Sequence, residues 1–183
     1  MYAGGIRLLE ITYSADKSVS DTDTAESIRA LAEHFEGRMF IGAGTVLDET
    51  QVELTKKAGG MFIISPDVNE NVIKKSVELG LVSMPGALTP TEITTANRAG
   101  ADFVKLFPIT SLGLDYVKAV RAPLSHVKLI AVGGIHDGNM KDYLKAGVCG
   151  FGIGSNIIDK KLIEAEDYNG ITALAKKYVE AIK

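Results

Sequence analysis

The chain has 183 residues, 46% of them hydrophobic, with 20 Lys and Arg against 23 Asp and Glu for a formal net charge of −3. That length supports one sizeable core and no Pro/Gly/Ser-rich linker divides it, so a single domain over residues 1–183 is expected. Scattered, slightly acidic charge leaves no footprint for nucleic acid or a membrane surface, no apolar run approaches the ~20 residues of a membrane span, and one cysteine excludes an internal disulfide or a multi-cysteine metal site.

The opening "MYAGGIRLLE" reads as the tail of a helix stopped by Gly4 and Gly5, running into a first strand, "IRLLEITY". Six further strand-length apolar runs follow: "MFIGAGTV", "MFIISP", "LVSMPGA", "FVKLFP", "VKLIAVGG" and "GFGIGS". Between them lie segments with helical apolar spacing, among them "DETQVELTKKAG", "NENVIKKSVELG" and "TPTEITTANRAG". Gly59, Gly80, Gly100 and Gly147 each close a helical segment, and Thr89 with Pro90 and Glu92 opens one by a hydroxyl cap, an N1 proline and a first-turn carboxylate. The tail "EDYNGITALAKKYVEAIK" reads as a last amphipathic helix with Lys176 and Lys177 solvated. Cys149 is expected to be a buried, unreactive thiol in a reducing cytoplasmic setting.

Alternating units of this kind demand a parallel sheet flanked by helices. A doubly wound nucleotide-binding sheet would place G-x-G-x-x-G after its first strand, and none stands there. Polar or small residues recur instead at strand ends: Glu10 and Thr12, Gly44 and Thr45, Ser65, Pro85, Lys105, Gly133 and Gly134, Ser155. That is the pattern of a (β/α) barrel mouth, where several strands supply one site. Seven strands are visible where a closed barrel has eight, so the expectation is a TIM (β/α) barrel lacking a first strand and most of a first helix.

Lys105 interrupts the apolar run "FVKLFP", sharing its side of the strand with Phe103 and Phe107, which read as core or pocket wall. An ammonium there is costly; an apolar surround lowers its pKa and leaves an amine able to attack a carbonyl. A salt-bridged structural lysine is the alternative. Glu10 likewise interrupts "LLEIT", a carboxylate at strand depth able to pair with the lysine or to move protons for it. "AVGGI" and "GIGSN" fall where barrels bind phosphate with the loops after their last two strands and the start of a short helix, so Gly133, Gly134, Gly154 and Ser155 are candidate phosphate ligands; tight turns alone are the alternative. His34, His126 and His136 lack metal-ligand spacing and suit exposed or capping positions, and no metal site is expected.

In order, "LLEIT", "GAGTVL", "ISP", "MPGALTPTE", "VKLFP", "VGGI" and "GIGS" resemble the bacterial aldolases that cleave 2-keto-3-deoxy-6-phosphogluconate and 4-hydroxy-2-oxoglutarate, from Gly4 to the carboxyl end. The resemblance implies a class I aldolase using neither metal nor cofactor: Lys105 forms an imine with pyruvate, Glu10 moves the protons, Thr45 and Pro85 line the pyruvate end, and Gly133, Gly134 and Ser155 hold the phosphate. It implies a small phosphorylated keto acid as ligand and a homo-oligomer, a trimer, with no nucleic-acid or membrane partner. Three features depart from the family's pattern. Ser14 stands where many relatives carry arginine, Val132 where those of the phosphogluconate type often have threonine, and the first strand is missing. Val132 resembles the phosphogalactonate aldolases, the alternative substrate reading; a catalytically silent ligand-binding barrel is the alternative of another class.

Overall fold

The computed structural model describes residues 1–183, which fall into two compact units, one of Leu8–Lys105 and one of Met1–Arg7 with Leu106–Lys183. No helix in either is long and apolar enough to cross a membrane.

In the first unit the chain alternates β1 (Leu8–Thr12), α1 (Asp21–His34), β2 (Phe40–Gly44), α2 (Glu49–Lys57), β3 (Phe62–Ile64), α3 (Glu70–Glu78), β4 (Val82–Met84), β5 (Gly86–Ala87) and α4 (Pro90–Arg98), and it enters β6 (Val104–Leu106). Strands β1 to β4 pair in parallel in chain order, Leu8 to Thr12 opposite Phe40 to Gly44 and Phe62 to Ile64 opposite Val82 to Met84. Period-two alternation sets the faces. Ile41, Ala43 and Ile63 are almost wholly buried, as are Ile28 of α1, Val52 of α2 and Val72 and Ile73 of α3. Burial of such side chains is worth about 1.5–3 kcal/mol each and holds the helices to the sheet.

Local chemistry marks the ends of these elements. Ser20 and Asp48 cap α1 and α2 by accepting from the amides of Asp23 and Gln51. At α4 the expected box forms in full: Thr89 Oγ1 accepts from the Glu92 amide at 3.3 Å and Glu92 Oε2 accepts from the Thr89 amide at 2.7 Å. The four glycines expected to stop helices all have positive φ, from 66° at Gly80 to 105° at Gly100.

The second unit contains a 3-10 turn (Tyr2–Gly4), α5 (Gly113–Arg121), β7 (Leu129–Val132), α6 (Met140–Lys145), β8 (Gly150–Gly152), α7 (Lys160–Glu164) and α8 (Tyr168–Glu180). Strands β7 and β8 run parallel, Ile130 opposite Gly150 and Val132 opposite Gly152. The amino-terminal turn ends in left-handed Gly5, as expected of a helix tail. It lies so close to α8 that a Cβ at Gly4 would stand 2.4 Å from that of Ala175. Of the two lysines expected to be solvated in α8, both are exposed, and Lys177 also pairs with Asp137 at 2.9 Å.

The strands form two sheets, ordered β1-β2-β3-β4 and β5-β6-β7-β8. The run "LVSMPGA", one strand by its pattern, is split into β4 and β5 because Pro85 has no amide to continue the ladder. Cys149 corrects another expectation: the residue is exposed. Val148, next to it, is 4% exposed and takes the inward position just before β8, which turns Cys149 outward with its thiol donating to the Leu129 carbonyl at 3.3 Å.

Candidate active site

The charged strand residues both lie in the first unit. Val104 and Leu106 are buried on one side of β6, whereas Lys105 between them is half-buried with Phe103 and Phe107, as alternation requires. Burial pushes the Lys105 ammonium below its ordinary value of 10.5, opposed by the negative charge of Glu10. Burial likewise pushes the Glu10 carboxyl above 4.5, opposed by Lys105. Each is therefore driven towards its neutral form by desolvation and back towards its charged form by the other. Opposed shifts of this kind in a coupled acid and amine are a feature of functional sites.

Glu10 is positioned by a missing side chain. A Cβ on Gly44 would lie 1.5 Å from Glu10 Oε1, 2.3 Å from Cδ and 2.6 Å from Cγ, so the carboxyl occupies the space over β2 that only glycine leaves open. The next residue, Thr45, is half-buried and left-handed, with φ 53°. For a β-branched residue that backbone costs about 1–2 kcal/mol, and strain of this kind concentrates at functional sites. Neighbouring hydrogen bonds hold the bend: the Tyr13 amide donates to Gly44 O at 2.9 Å and the Val46 amide to Ile64 O at 3.2 Å. Pro85 is buried, and its carbonyl accepts from the Lys105 amide at 2.8 Å, which sets it beside the lysine's own backbone. After it, a Cβ at Gly86 would meet the Pro66 carbonyl oxygen at 2.3 Å, so the "MPG" turn packs against the end of β3.

The glycine loops lie in the second unit. Gly133 and Gly134 follow β7 with φ 104° and 69°; a Cβ on the first would be 2.9 Å from Thr110 Oγ1 and on the second 3.4 Å from Thr110 Cα. Thr110, absent from the sequence expectations, thus sets how small these residues must be. Gly154 and Ser155 are exposed, with open space where a Gly154 Cβ would be. In place of the expected short helix, one turn follows, closed by the Ile157 and Ile158 amides donating to Gly154 O, and α7 begins only at Lys160. The Gly134, Gly154 and Ser155 amides have no backbone acceptor in the chain, leaving donors for an anion. Phe107, of this unit too, is half-buried and precedes a cis Phe107–Pro108 bond.

The remaining candidates have local roles. Ser14 donates to Asp16 Oδ1 at 2.5 Å and bonds Ser18 Oγ at 2.8 Å, closing its own turn. All three histidines are exposed, and His136 Nδ1 accepts from the Gly138 amide, as a capping residue does.

Residues 1–174 match the family model for the KDPG and KHG aldolases. The 2-dehydro-3-deoxy-6-phosphogalactonate aldolase of Escherichia coli K12 is 35% identical over 86% of this chain and 78% of its own. The KHG/KDPG aldolase of the same organism is 34% identical over 100% of this chain and 83% of its own. The crystal structure of the KDPG aldolase of Legionella pneumophila, with pyruvate captured at low pH as a covalent carbinolamine intermediate, superposes with a TM-score of 0.83 at 28% identity, covering 96% of this chain and 82% of that one. The chain therefore belongs to the KDPG and KHG aldolase family and is an aldehyde-lyase.

Proposed function

We propose that the chain is a class I aldolase that cleaves 2-keto-3-deoxy-6-phosphogluconate to pyruvate and glyceraldehyde 3-phosphate, with 4-hydroxy-2-oxoglutarate, cleaved to pyruvate and glyoxylate, as a second substrate. The observation that carries this reading is the half-buried Lys105, pushed by desolvation towards the neutral amine that the chemistry needs, with the half-buried Glu10 electrostatically coupled to it. The neutral Lys105 amine adds to the C2 carbonyl to give a carbinolamine, which loses water to a protonated imine. Glu10 takes the C4 hydroxyl proton as the C3–C4 bond breaks, and the bonding pair moves into the iminium to give a neutral enamine and the aldehyde. Glu10 returns the proton to the enamine carbon, which becomes the pyruvate methyl group; water then hydrolyses the imine and frees the lysine. Thr45 and Pro85 line the pyruvate end, Phe107 is pocket wall, and Gly133, Gly134, Gly154 and Ser155 donate to the phosphate. In this reading no cofactor takes part.

A covalent carbinolamine with pyruvate in the Legionella relative supports the imine route. Val132 and the 35% identity to a galactonate enzyme favour a second reading, the phosphogalactonate epimer as preferred substrate. We further propose a homotrimer working in the cytoplasm; the exposed strand starts Leu8 and Phe40, 56% and 51% accessible, support association. Borohydride reduction in the presence of pyruvate tests the core of this reading. A pyruvyl adduct on Lys105, lost in Lys105→Met together with cleavage of both sugar acids, is expected; an unlabelled wild-type chain would refute it. The ratio of kcat/KM on the two epimers decides between the two substrates, and light scattering that finds a monomer at micromolar concentration would refute the trimer.

A further inference from the structure

The loop after β7 contains two successive glycines with positive φ, and nothing in their own side chains restrains a rotation of the peptide planes. Such a rotation would present a carbonyl oxygen, repulsive to phosphate, in place of an amide. Two asparagines hold the carbonyls that follow: Gly134 O, in the peptide plane of the Ile135 amide, and Ile135 O, in that of the His136 amide. Asn139 Nδ2 donates to Gly134 O at 2.9 Å while its Oδ1 accepts from the His136 amide at 2.9 Å, so one side chain spans the loop. Asn156, directly after Ser155, donates from Nδ2 to Ile135 O at 2.8 Å and ties the loop after β8 to the loop after β7.

Asn139 sits at the N-cap of α6 yet makes no capping hydrogen bond, whereas Ser20, Asp48, Asn69, Thr89, Asp159 and Asp167 all cap the helices they precede. Its amide serves the loop and not the helix. We propose that Asn139 and Asn156 are positioning residues for phosphate: by bonding the Gly134 and Ile135 carbonyls they brace the backbone that follows the two glycines and fix residues 133–135 against residues 154–156. This rests on the phosphate role given to those loops above, and it adds that recognition of the phosphorylated end is set by side chains that do not touch it.

The test compares wild type, Asn156→Ala and Asn139→Ala on the phosphorylated sugar acid and on 4-hydroxy-2-oxoglutarate, which has no phosphate, with inorganic phosphate as inhibitor and calorimetric ligand. Loss of one such hydrogen bond is expected to raise KM for the phosphorylated substrate and the phosphate dissociation constant about five- to tenfold. The kcat for that substrate and kcat/KM for 4-hydroxy-2-oxoglutarate are expected to be unchanged. Equal losses on both substrates, unaltered phosphate affinity in the variants, or a wild-type chain that binds no phosphate would each overturn the proposal. If Asn156→Ala does not fold, Asn139→Ala carries the comparison. Borohydride capture of pyruvate is read in the same samples: a labelled Lys105 with unaltered phosphate affinity defeats only the asparagine proposal, and an unlabelled Lys105 with weakened phosphate affinity defeats only the aldolase chemistry.

Discussion

Placing one methyl group on β2 tests whether Glu10 is held where a proton carrier must be. In Gly44→Ala the new Cβ falls 1.5 Å from Oε1 and within 2.6 Å of Cδ and Cγ of Glu10, against the 3.5–4.0 Å of an ordinary carbon contact. A shift of a few tenths of an ångström does not relieve an overlap of that size. Strands β1 and β2 are laddered from Leu8–Phe40 to Thr12–Gly44, so the side chain moves and the backbone holds. Overpacking of this kind costs about 1–3 kcal/mol, partly offset because the carboxyl regains solvent. With Glu10 swung away, kcat is expected to fall by the ~10²–10⁴ that a positioned acid–base group contributes. Denaturant unfolding and kcat on wild type, Gly44→Ala, Glu10→Ala and the double variant form a closed cycle. Glu10→Ala removes all three clashing atoms, so the methyl group is expected to be nearly neutral in that background, with a coupling of about 1–3 kcal/mol and a double-variant kcat equal to that of Glu10→Ala alone. Equal destabilisation by Gly44→Ala in both backgrounds, or full turnover in the single variant, refutes the reasoning.

Glu10→Gln is expected to stabilise the fold at neutral pH. The carboxyl's folded pKa is raised above 4.5, so the native state holds its proton more tightly and stability falls as pH rises through that window. The gain over wild type is present above the raised pKa and absent below 4.5 in chemical denaturation across pH; a gain that persists at low pH contradicts it. The rate of pyruvate capture on Lys105 rises with pH to a limb below 10.5, and removal of the Glu10 charge in Glu10→Gln shifts that limb lower still, because that carboxylate opposes the desolvation; a limb that moves upward contradicts the pairing. Thr45→Gly releases a left-handed threonine at φ 53°, a relief of ~1–2 kcal/mol offset by ~0.5–1 kcal/mol of glycine entropy, so thermal unfolding is expected to show a net gain of at most about 1.5 kcal/mol while KM for the keto acid rises. A net loss of stability would show that Thr45 is not strained.

What the residues announced in advance was whatever depends on near neighbours in the chain. The four left-handed glycines and the Thr89 box are local devices, and each stands where its neighbours require. Lys105 and Glu10 stood out because a charge inside an apolar strand has few explanations. Gly44 is different: its pattern marks a strand end, but its reason is a carboxylate reaching across from β1, and nothing within four residues encodes that. Pro85 was visible as a residue and invisible as an interruption, since "LVSMPGA" has the apolar rhythm of one strand and only the missing amide divides it. Asn139 is the sharper case. It and Asn69 both stand at helix N-caps, and they differ in the partners the chain brings to them: Asn69 Oδ1 accepts from the amides of Asn71 and Val72, whereas Asn139 donates to the carbonyl of Gly134 and accepts from the amide of His136. The side-chain chemistry is the same. A loop with two adjacent positive-φ glycines supplies a rival partner close enough to take the asparagine from its helix, so the residue's role is decided by backbone geometry that the glycines create and the asparagine then stabilises.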